Sequence, residues 1–373
     1  MVSMKVIVIG GGVMGCMSAL RLAQGGADVL VLERSVPGAE ASSAAAGILA
    51  PSFEAAHVPL PEQILPLGVA SRDLHEKLAD ELQQEHGIDV GFRRCGVLAA
   101  AFSAQERAHL ESFHEKLKNY GIAGSTSESI DGAEARRREP ALSDEALGGL
   151  DFKLAAQLEP KRFLPALAIA AERAGAVFRS GAFVRGVEHG EGSPRVLVGD
   201  DTLHADHVVV AAGSWTGLVP GLGIESARVH PVRGQIVETR SRPPLFRRVV
   251  FGAGGYIVTR PSGEVLCGST EERVGFRKEV SFEGMSAILA MAVRVAPRLR
   301  NAPILNQWAS FRPATGDELP LVGAAGPKGV WLSTGHFRNG ILQAPISADI
   351  LTRAILGKEP SRFASLVDPG RFR

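Results

Sequence analysis

The sequence predicts an α/β protein of two domains, one built on a parallel sheet from several segments of chain, the other an inserted domain built on an antiparallel sheet. Three observations predict it. The chain opens with strand, turn, helix and strand in that order, a βαβ unit that almost always implies a parallel sheet with a right-handed crossover. Elements of the same kind return near residues 160–215 and at the C-terminal end. Between them, residues 229–270 alternate short β-rich runs with Gly and Pro turns, the composition of an antiparallel sheet. At 373 residues the chain also exceeds the size at which a single core stops growing.

Taken in order, Lys5 to Ile9 is β-rich, Met14 to Gln24 carries apolar residues at helical spacing, and Asp28 to Leu32 is an apolar run too short for a helix. Residues 36–62 are rich in Ala, Ser, Gly and Pro without a clear period, so an extended segment is expected. Helices over about 66–86 and 104–119 mix charge with apolar residues at three- and four-residue spacing and should cover a core. Then come a helix from Arg162 to Ala174, the run Ala176 to Arg179, and a β-branched strand from His207 to Ala212 that stops at Gly213. The antiparallel stretch contains Gly234-Gln235-Ile236-Val237 and Tyr256-Ile257-Val258. A helix from about Met285 to Val295, a β-run from Gly329 to Ser333 and a helix from about Ile341 to Leu356 complete the chain. The expected division gives 1–50, 145–218 and 306–373 to the parallel-sheet domain, and mainly 51–144 and 219–305 to the inserted one.

Composition narrows the function. Lys and Arg number 41 against 40 Asp and Glu, a balance that offers no broad positive field to nucleic acid or anionic lipid, so a small-molecule partner is expected. Cys16, Cys95 and Cys267 are too few and too scattered for a disulfide framework or a metal site, and suit buried thiols in a reducing cytoplasm. No apolar run approaches the roughly 20 residues that span a bilayer. The glycines within Val6 to Leu22 belong to a binding pattern rather than to a signal peptide.

That pattern is Gly10-Gly11-Gly12-Val13-Met14-Gly15, a G-x-G-x-x-G between a strand and a helix. Gly10, Gly12 and Gly15 let backbone approach a pyrophosphate, while the helix N-terminus at Val13 and Met14 supplies free N–H groups and partial positive charge. Glu33 lies 18 residues after Gly15, at the end of the second strand, where a carboxylate accepts hydrogen bonds from ribose hydroxyls and repels a 2′-phosphate. These features make a Rossmann-like dinucleotide site with Arg34 beside it, but they do not decide between FAD and NAD.

Further segments resemble the D-amino acid oxidase superfamily of flavoproteins, most closely its glycine oxidase branch associated with thiamine biosynthesis. Ser42-Ser43-Ala44-Ala45-Ala46-Gly47-Ile48-Leu49 resembles the small-residue segment that runs beneath the flavin. Val208 to Trp215 resembles the strand that ends in a glycine, here Gly213, near the cofactor, and Val184 matches a position whose backbone meets the adenine. Gly335-His336-Phe337-Arg338-Asn339-Gly340-Ile341-Leu342 resembles the glycine oxidase motif that places backbone N–H groups and a helix N-terminus at the flavin's pyrimidine end. The resemblance spans nearly the whole chain. It implies FAD, held noncovalently because no Cys occupies the stretch Ser310 to Asp317, where related sarcosine oxidases carry a linking cysteine. No second G-x-G-x-x-G stands in a βαβ setting, so no separate NADPH domain is expected.

The same resemblance assigns the substrate residues. Arg312, in Ser310-Phe311-Arg312-Pro313-Ala314-Thr315, matches the arginine that grips the substrate carboxylate with a two-pronged fork. Tyr256 matches the tyrosine that adds a hydroxyl to that carboxylate, and Arg338 matches a second position near substrate and flavin. His57 and His336 are available as bases, yet oxidation in this family is read as direct hydride transfer from a neutral amine, which calls for alignment rather than a base. Pro51 and Ser52, within the stretch Ala50 to Pro59, depart from the glycine oxidase pattern at the expected pocket wall and leave substrate size open. The expected activity is oxidation of glycine, sarcosine or a small D-amino acid, with oxygen reoxidising the flavin to give hydrogen peroxide. The alternatives are a D-amino acid dehydrogenase feeding a quinone and a flavin-binding protein without turnover. A homo-oligomer is compatible with the resemblance, whose members are commonly dimers or tetramers.

Overall fold

The first strand, β1 (Lys5–Ile9), buries Val6, Ile7, Val8 and Ile9, so it has no solvent face and needs cover on both sides. It lies inside a six-stranded sheet. In this computed structural model, which describes residues 4–58, 60–122, 126–189, 192–222 and 228–372, the order across the sheet is Leu321–Ala324, Val330–Thr334, His207–Val210, β1, β2 (Asp28–Leu32) and Val177–Arg179. All neighbours pair in parallel except the first two. On one face α1 (Val13–Gln24) packs between the helices Pro160–Arg173 and Gly340–Ile355, with Met17, Leu20, Phe163 and Leu351 fully buried in one core. The crossing at the start of α1 is close: a Cβ at Gly15 would overlap the Gly10 carbonyl oxygen.

A second sheet of eight strands runs in the order Asn306–Thr315, Val229–Arg240, Glu264–Gly268, Gly255–Thr259, Val249–Gly252, Val97–Ala101, Gly148–Phe152 and Glu128–Asp131. Only Val249–Gly252 with Val97–Ala101 pairs in parallel. Here two expected boundaries are corrected. Residues 148–152 and 306–315 were expected in the parallel-sheet domain, but both are strands of this antiparallel sheet. Asn306–Thr315 pairs with Val229–Arg240 along its whole length, so backbone hydrogen bonding carries the strand across the division that sequence order suggested.

The expected extended segment 36–62 is also corrected. It holds short turns, Ala41–Ala44, Pro51–Glu54 and Ala55–His57, and a strand Ile48–Leu49 paired with Ala156–Gln157. A four-residue turn is too short to show a helical period, and Pro51 starts its turn with φ already fixed. Pro61 likewise starts the following helix, Pro61–His86, earlier than its apolar spacing suggests. Pro59 lies outside the described residues. A third sheet, Val184–Glu188, Arg195–Val198 and Asp201–His204, follows the Val177–Arg179 strand.

Candidate active site

The carboxyl ends of β1, β2 and His207–Val210 open into a cavity of about 970 Å³ that continues to the face of the eight-stranded sheet. Its first part is a cradle of backbone. Gly12 begins α1 without a side-chain cap, and the Val13 N–H donates to the Ser42 hydroxyl at 2.9 Å. The Glu33 carboxylate is held by backbone: Oε2 accepts from the Gly11 N–H at 2.7 Å and Oε1 from the Ser35 N–H at 2.8 Å, leaving one lone pair on each oxygen. Gly10 sits at φ +104°, and a Cβ there would lie 2.6 Å from the Ala211 carbonyl oxygen, so the turn accepts only glycine. The Arg34 guanidinium stacks 4.0 Å from the Trp215 ring centre. A helix N-terminus, a bare glycine turn and an oriented carboxylate fit a dinucleotide with free ribose hydroxyls.

Most of the residues expected at the cofactor line this cavity: Gly10, Gly12, Val13, Met14, Glu33, Arg34, Ser42, Ala46, Gly47, Ile48, Val184, Gly213, Trp215, His336, Phe337, Arg338, Asn339, Gly340 and Ile341. Three of the expected residues do not line it. Gly15 stands behind the turn as the helix–strand contact, the Ser43 hydroxyl is turned to the Gly38 carbonyl, and the Leu342 carbonyl accepts from the Ser71 hydroxyl at 2.6 Å. At the far end of the cradle, Gly335 (φ +77°) and Phe337 (φ +46°) bend the chain sharply into the helix Gly340–Ile355. His336 beneath it is fully enclosed. Its Nε2 meets the Ser347 hydroxyl at 2.9 Å, its Nδ1 has no partner, and burial pushes its pKa down to about 3, so the ring is neutral. With its pKa lowered this far by burial the ring is a weak base.

The second part of the cavity carries the substrate candidates. Arg312 projects from Asn306–Thr315 and its guanidinium lies over Gly234 of the adjacent strand, where a Cβ would come within 2.6 Å of Cζ. Nη1 donates to the Thr270 carbonyl at 3.1 Å and Nη2 to the Ser269 hydroxyl at 2.5 Å. Burial draws the guanidinium below its ordinary pKa, and the Tyr256 phenol opposes that shift. Tyr256 stands on Gly255–Thr259, opposite Gly268; burial pushes its phenol up, while Arg312 pulls it back. Its ring meets Phe251 edge-on at 5.7 Å, and Phe251 lies 4.0 Å from Phe53, forming an apolar wall. Arg338 pairs with Glu54 at 3.4 Å, and Glu54 Oε2 is buried without a hydrogen bond. The cavity thus brings Arg312, Tyr256 and Arg338 together. Burial lowers the His57 pKa, opposed by Glu54.

Pro51 and Ser52 are buried but do not line the cavity; Pro51 packs against Gly68, and Phe53, Glu54 and His57 form that wall instead. Sequence reasoning missed Glu54, Gly234, Phe251 and Ser269. Only the burial of a carboxylate in an Ala-rich run could have signalled Glu54; the other three acquire meaning from cross-strand register alone. None of the three cysteines lines the cavity, and burial pushes the Cys16 and Cys267 thiols up to about 12. Among the described residues there is no cluster fit to hold a metal and no helix long and apolar enough to cross a membrane.

A glycine-lined nucleotide cradle opening directly onto a chamber with a buried guanidinium and phenol defines a dinucleotide-dependent oxidoreductase. Residues 5–354 match the DAO family of FAD dependent oxidoreductases, and the chain belongs to that family. The glycine oxidase of Geobacillus kaustophilus is 31% identical over 357 residues, covering 95% of this chain and 93% of that protein. The bifunctional protein ThiO/ThiG of Trichormus variabilis is 32% identical over 372 residues, 99% of this chain but 55% of its own length, so the chain spans about half of that relative. The crystal structure of the Geobacillus kaustophilus glycine oxidase superposes with a TM-score of 0.92 at 28% identity, over 98% of both chains. The chain is therefore an FAD-dependent oxidoreductase of the glycine oxidase and ThiO type.

Proposed function

We propose that this chain oxidises glycine or a closely related small amino acid or amine, such as sarcosine or a small D-amino acid, with oxygen as the final acceptor. The observation that carries this is the meeting of Arg312 and Tyr256 at the apolar end of the cofactor cavity. Noncovalently held FAD, when bound, supplies the two-electron acceptor, and oxygen takes those electrons on to hydrogen peroxide. Gly10, Gly12, Val13, Met14, Glu33 and the Gly340 helix N-terminus would hold it. Arg312 grips the substrate carboxylate as a fork and Tyr256 donates its hydroxyl to the same group, so the α-carbon is fixed in one orientation. Phe53 and Phe251 keep water from that face. Arg338, held by Glu54, adds positive charge beside the chamber. The neutral amine loses a hydride from its α-carbon and becomes an iminium ion, which water hydrolyses to the 2-oxo acid and ammonia or an amine. No side chain need remove a proton if the amine arrives neutral.

An anaerobic absorbance screen tests this directly. The purified holoprotein is mixed with glycine, sarcosine, D-alanine, D-proline or larger D-amino acids, and the oxidised-flavin band is followed. It should bleach with glycine or another small member of the set, and air should restore it with peroxide formed. No bleaching by any of them would remove the proposal; bleaching reversed by a quinone but not by air would replace oxygen as the acceptor.

A further inference from the structure

The helix Gly340–Ile355 carries a proline near its start, Pro345. An unbroken helix would send the N–H of residue 345 to the Ile341 carbonyl, but proline has no N–H and its ring crowds that carbonyl. A buried carbonyl in this position needs another donor. The helix Pro61–His86, packed against this one, supplies it: His75 Nε2 lies 2.7 Å from the Ile341 carbonyl oxygen. Four residues earlier on the same helix, the Ser71 hydroxyl donates to the Leu342 carbonyl at 2.6 Å and accepts from the Ile346 N–H at 3.4 Å, the two groups that an unbroken helix joins directly. Both side chains are buried. We propose that Ser71 and His75 are positioning residues that replace the helix bonds disturbed by Pro345, hold the first turn of the Gly340 helix toward the cofactor cavity, and so set how strongly that helix start stabilises the reduced flavin. The inference rests on the placement of FAD at that helix start given above.

The tautomer follows from the partner. A carbonyl only accepts, so Nε2 carries the ring proton of His75, and Nδ1, which has no hydrogen-bond partner, is bare. The Phe163 ring stands 5.5 Å from the imidazole centre and packs beside it, so the donor is held in place. What it grips matters because Gly340 and Ile341 both line the cavity, and no side chain caps the start of this helix at Asn339. The peptide dipoles of an uncapped first turn favour negative charge close to them, and the effect falls off within that turn, so a small change in its direction is felt. With Ser71 and His75 in place the turn is pinned from the side opposite the cavity by the neighbouring helix. Without them the Ile341 carbonyl is a buried acceptor that lacks a donor, and the turn relaxes away from the cofactor.

The test reads the two-electron reduction potential of the flavin in the holoprotein, by equilibration with a reference dye, a quantity that lost stability alone does not move. His75→Phe keeps a ring but loses the donor; it should weaken the preference for reduced flavin about tenfold, which lowers the potential by about 30 mV. Ser71→Ala should shift it the same way by about threefold, or about 14 mV. His75→Gln, which keeps an N–H donor, should recover most of the loss. Pro345→Ala restores an N–H to the Ile341 carbonyl, so in that background the His75→Phe effect should shrink to about twofold or less. Parent-like potentials in His75→Phe and Ser71→Ala would overturn the proposal, and so would a His75→Phe shift undiminished in the Pro345→Ala background. Where His75→Phe yields no holoprotein, a parent-like potential in Ser71→Ala overturns it alone. Asn339→Asp sets a carboxylate at the helix start and should also lower the potential; if it does not, it is the placement of the flavin at this helix that fails, an outcome separate from a failure of Ser71 and His75.

Discussion

Gly234→Ala places one methyl group where Arg312 now lies. The added Cβ would sit 2.5 Å from Nη2 and 2.6 Å from Cζ, whereas carbon contacts are comfortable only at about 3.5–4.0 Å. The neighbour is the working end of the arginine, and it is not free to swing: Thr270 and Ser269 hold it on one side and the neighbouring strand lies beneath it. The guanidinium must therefore retreat by about 1 Å, a displacement that costs on the order of 100-fold when it affects a group that orients the reacting atoms. Expressed as transition-state stabilisation this is about 2.7 kcal/mol. Steady-state oxygen uptake with glycine should show that fall in kcat/KM, with FAD stoichiometry and circular dichroism like the parent's, because the clash is with Arg312 and not with the nucleotide turn. A Gly234→Ala enzyme within threefold of the parent on glycine would refute the placement of Arg312 as the carboxylate fork.

Two further outcomes follow, one from Glu33 and one from His336 together with His75, a buried residue of the helix Pro61–His86 whose Nε2 lies 2.7 Å from the Ile341 carbonyl oxygen. Glu33→Ala should weaken FAD binding by roughly 10- to 150-fold, the loss of hydrogen bonds to a charged acceptor, measured by titrating apoprotein with FAD; unchanged affinity would remove Glu33 from the ribose site. His336 and His75 are buried neutral, with burial pushing their pKa values down to about 3 and about 4. Because both lie below the value of about 6.5 in the unfolded chain, the unfolded state takes up protons first, so this stability is full above about pH 6.5 and is lost as pH falls toward 4. Moving from pH 7.5 to 5 should cost roughly 2 kcal/mol for each ring, visible as a lower urea midpoint. A midpoint that does not fall over that range would show that the rings are not buried in neutral form.

The nucleotide half was legible because its signals are local. The glycine turn, α1 and Glu33 lie within one βαβ unit, and β1 is apolar on both faces because both are covered. What sequence hid was set by pairing between distant segments. Asn306–Thr315 looks like part of the C-terminal α/β run, yet its ladder with Val229–Arg240 carries it into the eight-stranded sheet and sets Arg312 diagonally over Gly234. Ser269 and Phe251 become site residues through the register of Gly255–Thr259 with its two neighbours, which no single segment reveals. The small residues of the segment from Ser42 pointed to the cavity it lines, but not to the way its serines divide, Ser42 toward the helix start and Ser43 toward Gly38.

The most direct test of the central claim is the kinetics of Arg312 variants on amino acids and on amines that lack a carboxylate. Truncating one side of a buried charge pair costs on the order of 2 to 5 kcal/mol, so Arg312→Ala should lose roughly 30- to 5,000-fold in kcat/KM for glycine, sarcosine or D-alanine. Arg312→Lys, which keeps the charge but loses the fork, should fall between. FAD content should match the parent in both, and amines without a carboxylate should be poor substrates throughout and lose little more. Arg312→Ala oxidising glycine, sarcosine and D-alanine as well as the parent does would contradict the assignment of this chamber as an amino acid site.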